Sequence, residues 1–199
     1  MKALFLIAAC ALVGATATAN ASPYVVTVEQ VGSDVVATGS GQIDLTGLVL
    51  NASDDPGYPG IFASWGDIGL GSGYTDTYTP SELSGPTGFG TGDHNNASSS
   101  TGSLVAFQDS GGGYINVPAG YVSDTVLSTS TDTFDDATFA SLGVTPGTYV
   151  WTWGSDPDQS FTIDVEATPL PAALPLFATS LGGLGLLGWR RRRKAQAVA

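Results

Sequence analysis

The chain has 199 residues with 18 acidic side chains, six basic ones and a net charge of −12. All six basic residues lie at the ends (Lys2, Arg190, Arg191, Arg192, Arg193 and Lys194), and all 18 acidic ones lie between Glu29 and Glu166. Residues 22–167 hold no lysine or arginine, which excludes phosphate neutralisation, and so nucleic acid as a partner, along with arginine-finger and Schiff-base chemistry.

In chain order, Lys2, the apolar run Ala3–Val13 and the small-x-small site Ala19-Asn20-Ala21 read as a secretory signal peptide over 1–21, cleaved after Ala21. Its partners are the Sec translocon and signal peptidase. Cys10 is the only cysteine and leaves with the signal, so the mature chain has no disulfide, thiolate metal site or cysteine nucleophile.

Residues 22–167 read as one acidic passenger domain. Tyr24–Val28 and Asp34–Thr38 are β-rich runs around Gly32-Ser33. Leu104–Phe107 and Tyr114–Val117 flank the glycines 111–113, a hairpin loop, and Thr125–Thr133 is a further β-branched run. The stretch 84–103 is rich in Gly, Ser and Thr and is expected to be a long loop. A short helix is predicted over Asp136–Leu142, with Asp136 as N-cap and Gly143 as stop. Tyr149, Trp151 and Trp153 alternate onto one face, and Phe161, Ile163 and Val165 onto another. Twenty-two glycines and eight prolines in the passenger disfavour long helices. The expected class is all-β, an antiparallel β-sandwich or jelly roll.

The tail 168–199 has three parts: Thr168-Pro169-Leu170-Pro171-Ala172, an uncharged stretch 172–189 and the basic cluster 190–194. Eighteen helical residues reach about 27 Å, enough for one transmembrane helix. The cluster Arg190, Arg191, Arg192, Arg193 and Lys194 is a stop-transfer signal that stays cytoplasmic, leaving the passenger outside. Gly183–Gly188 matches a dinucleotide fingerprint but lies inside the apolar stretch, where small residues serve helix approach.

These three parts, in this order, resemble the PEP-CTERM sorting signal of Gram-negative bacteria, nearest its Val-Pro-Leu-Pro-Ala variant. Pro169, Leu170, Pro171 and Ala172 match, while Thr168 replaces the variant's valine. The resemblance implies recognition by an exosortase, an integral-membrane cysteine-protease-like enzyme that processes the tail near the prolines. The passenger would sit in the periplasm, held at the inner membrane, and then pass to the cell surface or extracellular matrix, often in exopolysaccharide producers. The segment Phe139–Gly154 also looks like a stretch recurring before such tails; it implies no activity.

Within the passenger, His94 is the only histidine and reads as a surface residue, so a multi-histidine metal site is excluded. No serine has a nucleophile-elbow setting and no motif selects a carboxylate pair, so no catalytic residue is assigned and a non-enzymatic protein is expected. No cofactor is required; calcium is the one candidate, at Asp132, Asp135 and Asp136 or at Asp156 and Asp158. Tyr58, Trp65, Tyr74 and Tyr78 are expected to fill the core; exposed, they would form a sugar-stacking platform. The first reading is a surface or matrix protein. The alternatives are a carbohydrate-binding module for exopolysaccharide and a secreted hydrolase.

Overall fold

A computed structural model describes residues 22–166; the expected signal peptide, sorting motif and membrane span, and the basic cluster 190–194, lie outside the described residues. The strands are β1 (Tyr24–Val31), β2 (Asp34–Gly41), β3 (Leu48–Pro56), β4 (Gly60–Phe62), β5 (Asp67–Leu70), β6 (Tyr74–Pro80) and β7 (His94–Asn96). They continue with β8 (Ser99–Thr101), β9 (Val105–Gln108), β10 (Tyr114–Pro118), β11 (Leu127–Phe134), β12 (Gly147–Thr152) and β13 (Ser160–Val165). One helix, α1 (Phe139–Leu142), precedes β12.

The strands form two sheets, ordered β12-β13-β1-β2-β11-β8 and β3-β6-β10-β9-β5-β4-β7. The passenger is thus an all-β sandwich with antiparallel-rich sheets. One pairing departs from the antiparallel expectation: β1 lies parallel to β13, with Tyr24 beside Phe161 and Val28 beside Val165. These two strands therefore meet inside a sheet, and neither forms an edge.

Period-two alternation explains the core. Tyr24, Val26 and Val28 of β1 and Val35 and Ala37 of β2 face inward with Phe161, Ile163 and Val165. They meet Ile68, Leu70, Val105, Phe107, Ile115 and Val117 of the other sheet. Phe107 stacks on Phe161 at 4.9 Å and tilts against Trp151 at 4.8 Å, so one ring joins the two sheets. Each such pair contributes about 0.5–1.5 kcal/mol beyond its buried area. Trp151 and Trp153 are buried as expected, and Tyr149 packs against the core.

Two local expectations need correction. The stretch 84–103 is not one loop: it contributes β7 and β8, and Phe89 is fully buried. Backbone bonds from Phe89 to Ala63 (2.9 Å) and from Thr91 to Gly143 (2.8 Å) hold it down. Its two strands have three residues each and polar side chains, so no periodicity marks them. Asp136 is also not the N-cap. Thr138 caps α1 through a capping box with Ser141, whereas Asp136 takes a left-handed turn conformation at φ 52°. Gly143 ends the helix at φ 64°, as expected.

Candidate functional site

The outer face of the seven-stranded sheet carries a cleft of about 670 Å³. Its floor follows from register, because residues paired across strands share a face. Ala52 pairs with Thr77, Thr77 with Asn116 and Asn116 with Ala106. Ala106 pairs with Gly69, Gly69 with Gly60 and Gly60 with Asn96. A single row of small or amide residues thus crosses all seven strands, and its middle, Thr77, Ala106, Gly69 and Gly60, is buried. Asn116 is fixed within it, its Nδ2 donating to Thr77 Oγ1 at 3.0 Å and Thr75 Oγ1 at 3.4 Å.

One wall is the connection from β3 to β4. Pro56, Gly57, Tyr58 and Pro59 form a strap across the sheet, pinned where Gly57 N–H donates to the Gly73 carbonyl. The strap passes so close that a Cβ on Gly69 would stand 2.7 Å from the Tyr58 carbonyl oxygen. Only glycine admits the strap at that strand position.

The opposite wall is a row two residues along the strands. Phe62 pairs with Asp67 and with His94, and Tyr114 pairs with Gln108. Trp65, in a 3-10 turn after β4, stacks on Phe62 with centroids 4.5 Å apart and planes 16° from parallel. His94 tilts against the same ring at 5.8 Å. The histidine is exposed, as expected, but it belongs to an edge strand beside the cleft.

The aromatic residues assigned to the core are the main correction. Tyr58 is 77% exposed, Tyr74 64% and Trp65 53%. Tyr78 alone packs against the core. Three causes pull the others out. Tyr58 is carried on the strap, Trp65 ends a 3-10 turn whose Ala63 takes the buried position, and Tyr74 opens β6 at the sheet's end.

Asp67 is the half-buried carboxylate of the cleft. Its Oδ1 accepts from Asp109 N–H at 2.9 Å and Ser110 N–H at 3.4 Å, and its Oδ2 accepts from the Ser110 hydroxyl at 2.9 Å. Burial pushes its pKa up, against these hydrogen bonds. Both oxygens are engaged in holding the β9–β10 loop, which leads into Tyr114. Its arrangement is that of an anchor for the wall.

The five calcium candidates fall in three places. Asp132 is fully buried on the core face of β11; Asp135 and Asp136 are exposed beyond the strand's end. Alternation accounts for this, since Asp132 takes an inward position between Ser130 and Phe134. Asp156 and Asp158 lie on the β12–β13 loop. Among the described residues no three or more His, Cys, Asp or Glu side chains gather as a metal cage.

Asp132 Oδ1 accepts from Gly71 N–H at 2.9 Å, bridging β11 to the β5–β6 turn of the other sheet. Its Oδ2 and the hydroxyl of fully buried Tyr24 have no hydrogen-bond partner. Burial raises the pKa of both groups.

Sequence reasoning missed the floor row, Phe62, Asp67, Gln108, Tyr114 and Asn116. The one available signal was Pro56-Gly57-Tyr58-Pro59-Gly60, an aromatic bracketed by residues that hold a chain extended and off the core. Comparison with family models, with curated proteins and with solved structures finds no match to this chain.

Proposed function

We propose that this chain is an exported, non-enzymatic surface or matrix protein whose passenger binds glycan in the cleft of the seven-stranded sheet. The carrying observation is the exposure of Tyr58, which lines the cleft, and of Trp65, which lies outside the lining and stacks on the lining residue Phe62. Flat, exposed rings offer stacking surfaces for the C–H faces of sugar rings. Asn51 and Gln108 supply amide donors and acceptors for hydroxyl groups. This favours the carbohydrate-binding role over a purely structural one. It also favours binding over hydrolysis, because both oxygens of Asp67 are already hydrogen-bonded.

Delivery is read from the two ends. The signal peptide 1–21, cut after Ala21, carries the chain through the Sec translocon. The motif Pro169-Leu170-Pro171-Ala172, the span 172–189 and the basic cluster 190–194 hold it in the inner membrane until an exosortase acts. Glycan binding and release to the surface fit together: the passenger would anchor itself to exopolysaccharide after losing its membrane anchor.

The test has two arms. Intact-mass measurement on protein from its producer should show a start at Ser22 and an end near Pro169–Pro171; a surface form retaining Arg190–Lys194 overturns the sorting reading. Affinity electrophoresis of the full chain through gels containing neutral polysaccharides should retard it, and Trp65→Ala should run faster. Unretarded migration in every neutral polysaccharide overturns the glycan reading.

A further inference from the structure

Two carboxylates line the cleft, Asp55 and Asp67, and one of them is idle. Resting on the glycan reading above, we infer that the passenger selects a glycan bearing free amino groups, whose ammonium is met by the Asp55 carboxylate and the exposed ring of Tyr58. Both oxygens of Asp67 are taken by the β9–β10 loop. Asp55 is exposed, and the side-chain hydrogen bond that reaches it goes to its backbone, Thr75 Oγ1 donating to the carbonyl oxygen at 3.3 Å. Its carboxylate has no hydrogen-bond partner among the described residues, so a ligand displaces nothing there.

A break in strand regularity places Asp55 on the cleft. Ala52 pairs with Thr77 and Asp55 with Thr75, so three steps on β3 match two on β6. Three steps along a regular strand would turn Asp55 to the face opposite Ala52. The register shift between them cancels this, and Asp54 within it adopts a left-handed conformation at φ 56°. Asp55 therefore shares the face of Ala52 and Thr77, which also line the cleft.

Tyr58 follows on the same connection, 77% exposed, and lines the cleft as well. An ammonium offers donors and no acceptor, which suits a free carboxylate. A ring face attracts the same cation through its quadrupole. An amino sugar thus presents a charge to Asp55 and a C–H face to Tyr58, whereas its N-acetylated form presents only the face.

The wider field has the same sign. Residues 22–166 hold 18 carboxylates and no lysine or arginine. Such a field concentrates cations at the surface, and a uronate or sulfate group would find neither a lysine nor an arginine to pair with.

The test is titration calorimetry on the full chain in mild detergent near pH 6, below the ordinary amine range. The probes are glucosamine oligomers and N-acetylglucosamine oligomers of equal length. The free-amine series should bind at least about tenfold more tightly. That advantage should shrink as salt is raised to about 1 M, where the screening length is about 3 Å. Asp55→Asn should remove most of the advantage and leave the acetylated series unchanged, while Asp135→Asn, after β11 in the other sheet, should keep it. Equal or tighter binding of the acetylated series overturns the inference and leaves the glycan reading standing. Equal losses in Asp55→Asn and Asp135→Asn overturn it too, because the attraction would then belong to the whole acidic surface. So does oligolysine of matched charge binding as tightly as the amino sugar, since the sugar ring would then count for nothing. Binding of no glycan, here or in the electrophoresis above, overturns both readings. If Asp55→Asn does not fold, the wild-type comparison of the two series decides.

Discussion

Trp65 lies face to face on Phe62, centroids 4.5 Å apart, while keeping 53% of its surface in solvent. The inner ring braces the outer one. A tryptophan held this way loses little further freedom when a sugar docks on it, so its contact is cheap in entropy.

Replacement of Trp65 by alanine should therefore weaken glycan binding by about tenfold, or about 1.4 kcal/mol. Thermal stability should change little, because a half-exposed ring contributes only about 1 kcal/mol through its stacked partner. Calorimetric titration beside a melting curve checks both. A large loss of stability with unchanged affinity would make Trp65 a packing residue.

Asp132 sets the pH dependence of the fold. Its folded-state pKa is raised above the ordinary aspartate value by burial, opposed in part by the Gly71 N–H. The folded state therefore holds its proton more tightly than the unfolded chain. Stability is fully present below the ordinary carboxylate range and falls as pH rises through the raised value. Asp67 and Asp109, both raised by burial, add in the same direction. The melting temperature should fall as pH is raised out of the ordinary carboxylate range. Asp132→Asn keeps an acceptor for Gly71 and removes the buried charge. It should stabilise the protein by about 1–2 kcal/mol at neutral pH and flatten the profile. A variant that melts lower than wild type at pH 8 would contradict this.

Asp67 gathers the β9–β10 loop through three hydrogen bonds. Asp67→Ala should cost about 1–3 kcal/mol in stability. Amide exchange at Asp109 and Ser110 should accelerate, since these groups lose their acceptor. Asp67→Asn should protect both amides better than alanine does, because its side-chain oxygen can still accept. Equal exchange in wild type and Asp67→Ala would show that the loop is held by other contacts.

Eighteen carboxylates face no lysine or arginine within the passenger, and their repulsion opposes compaction. Raising sodium chloride to about 0.1 M, where the screening length is about 10 Å, should raise the melting temperature. If Asp135 and Asp136, or Asp156 and Asp158, take calcium, millimolar calcium should add a rise that sodium at equal ionic strength does not reproduce. Coincident melting curves would assign these turns to solvent.

Strand character was legible wherever alternation ran for several residues. Tyr24–Val28, Tyr114–Val117, Tyr149–Trp153 and Phe161–Val165 all carry their inward faces in the sequence, because a two-residue period needs only local information. The helix stop at Gly143 was legible for the same reason. Two decisions were not local. Thr138 won the N-cap because its side chain and Ser141 satisfy each other, a reciprocal geometry that Asp136, two residues earlier, could not supply. The pairing of β1 with β13 joins residues over a hundred positions apart, and no period encodes it.

By itself the sequence determined an all-β domain without lysine or arginine between two chemically distinct ends. Charge and hydropathy are additive along a chain, so they can be read without coordinates. Only the tertiary structure decided that Tyr58 and Trp65 face solvent and that Asp132 faces the core. It also brought Ala52, Thr77, Asn116, Ala106, Gly69 and Gly60 into one row. A cleft is a property of register between strands distant in sequence, and register is set by the burial of the opposite face of the sheet, which no single segment contains.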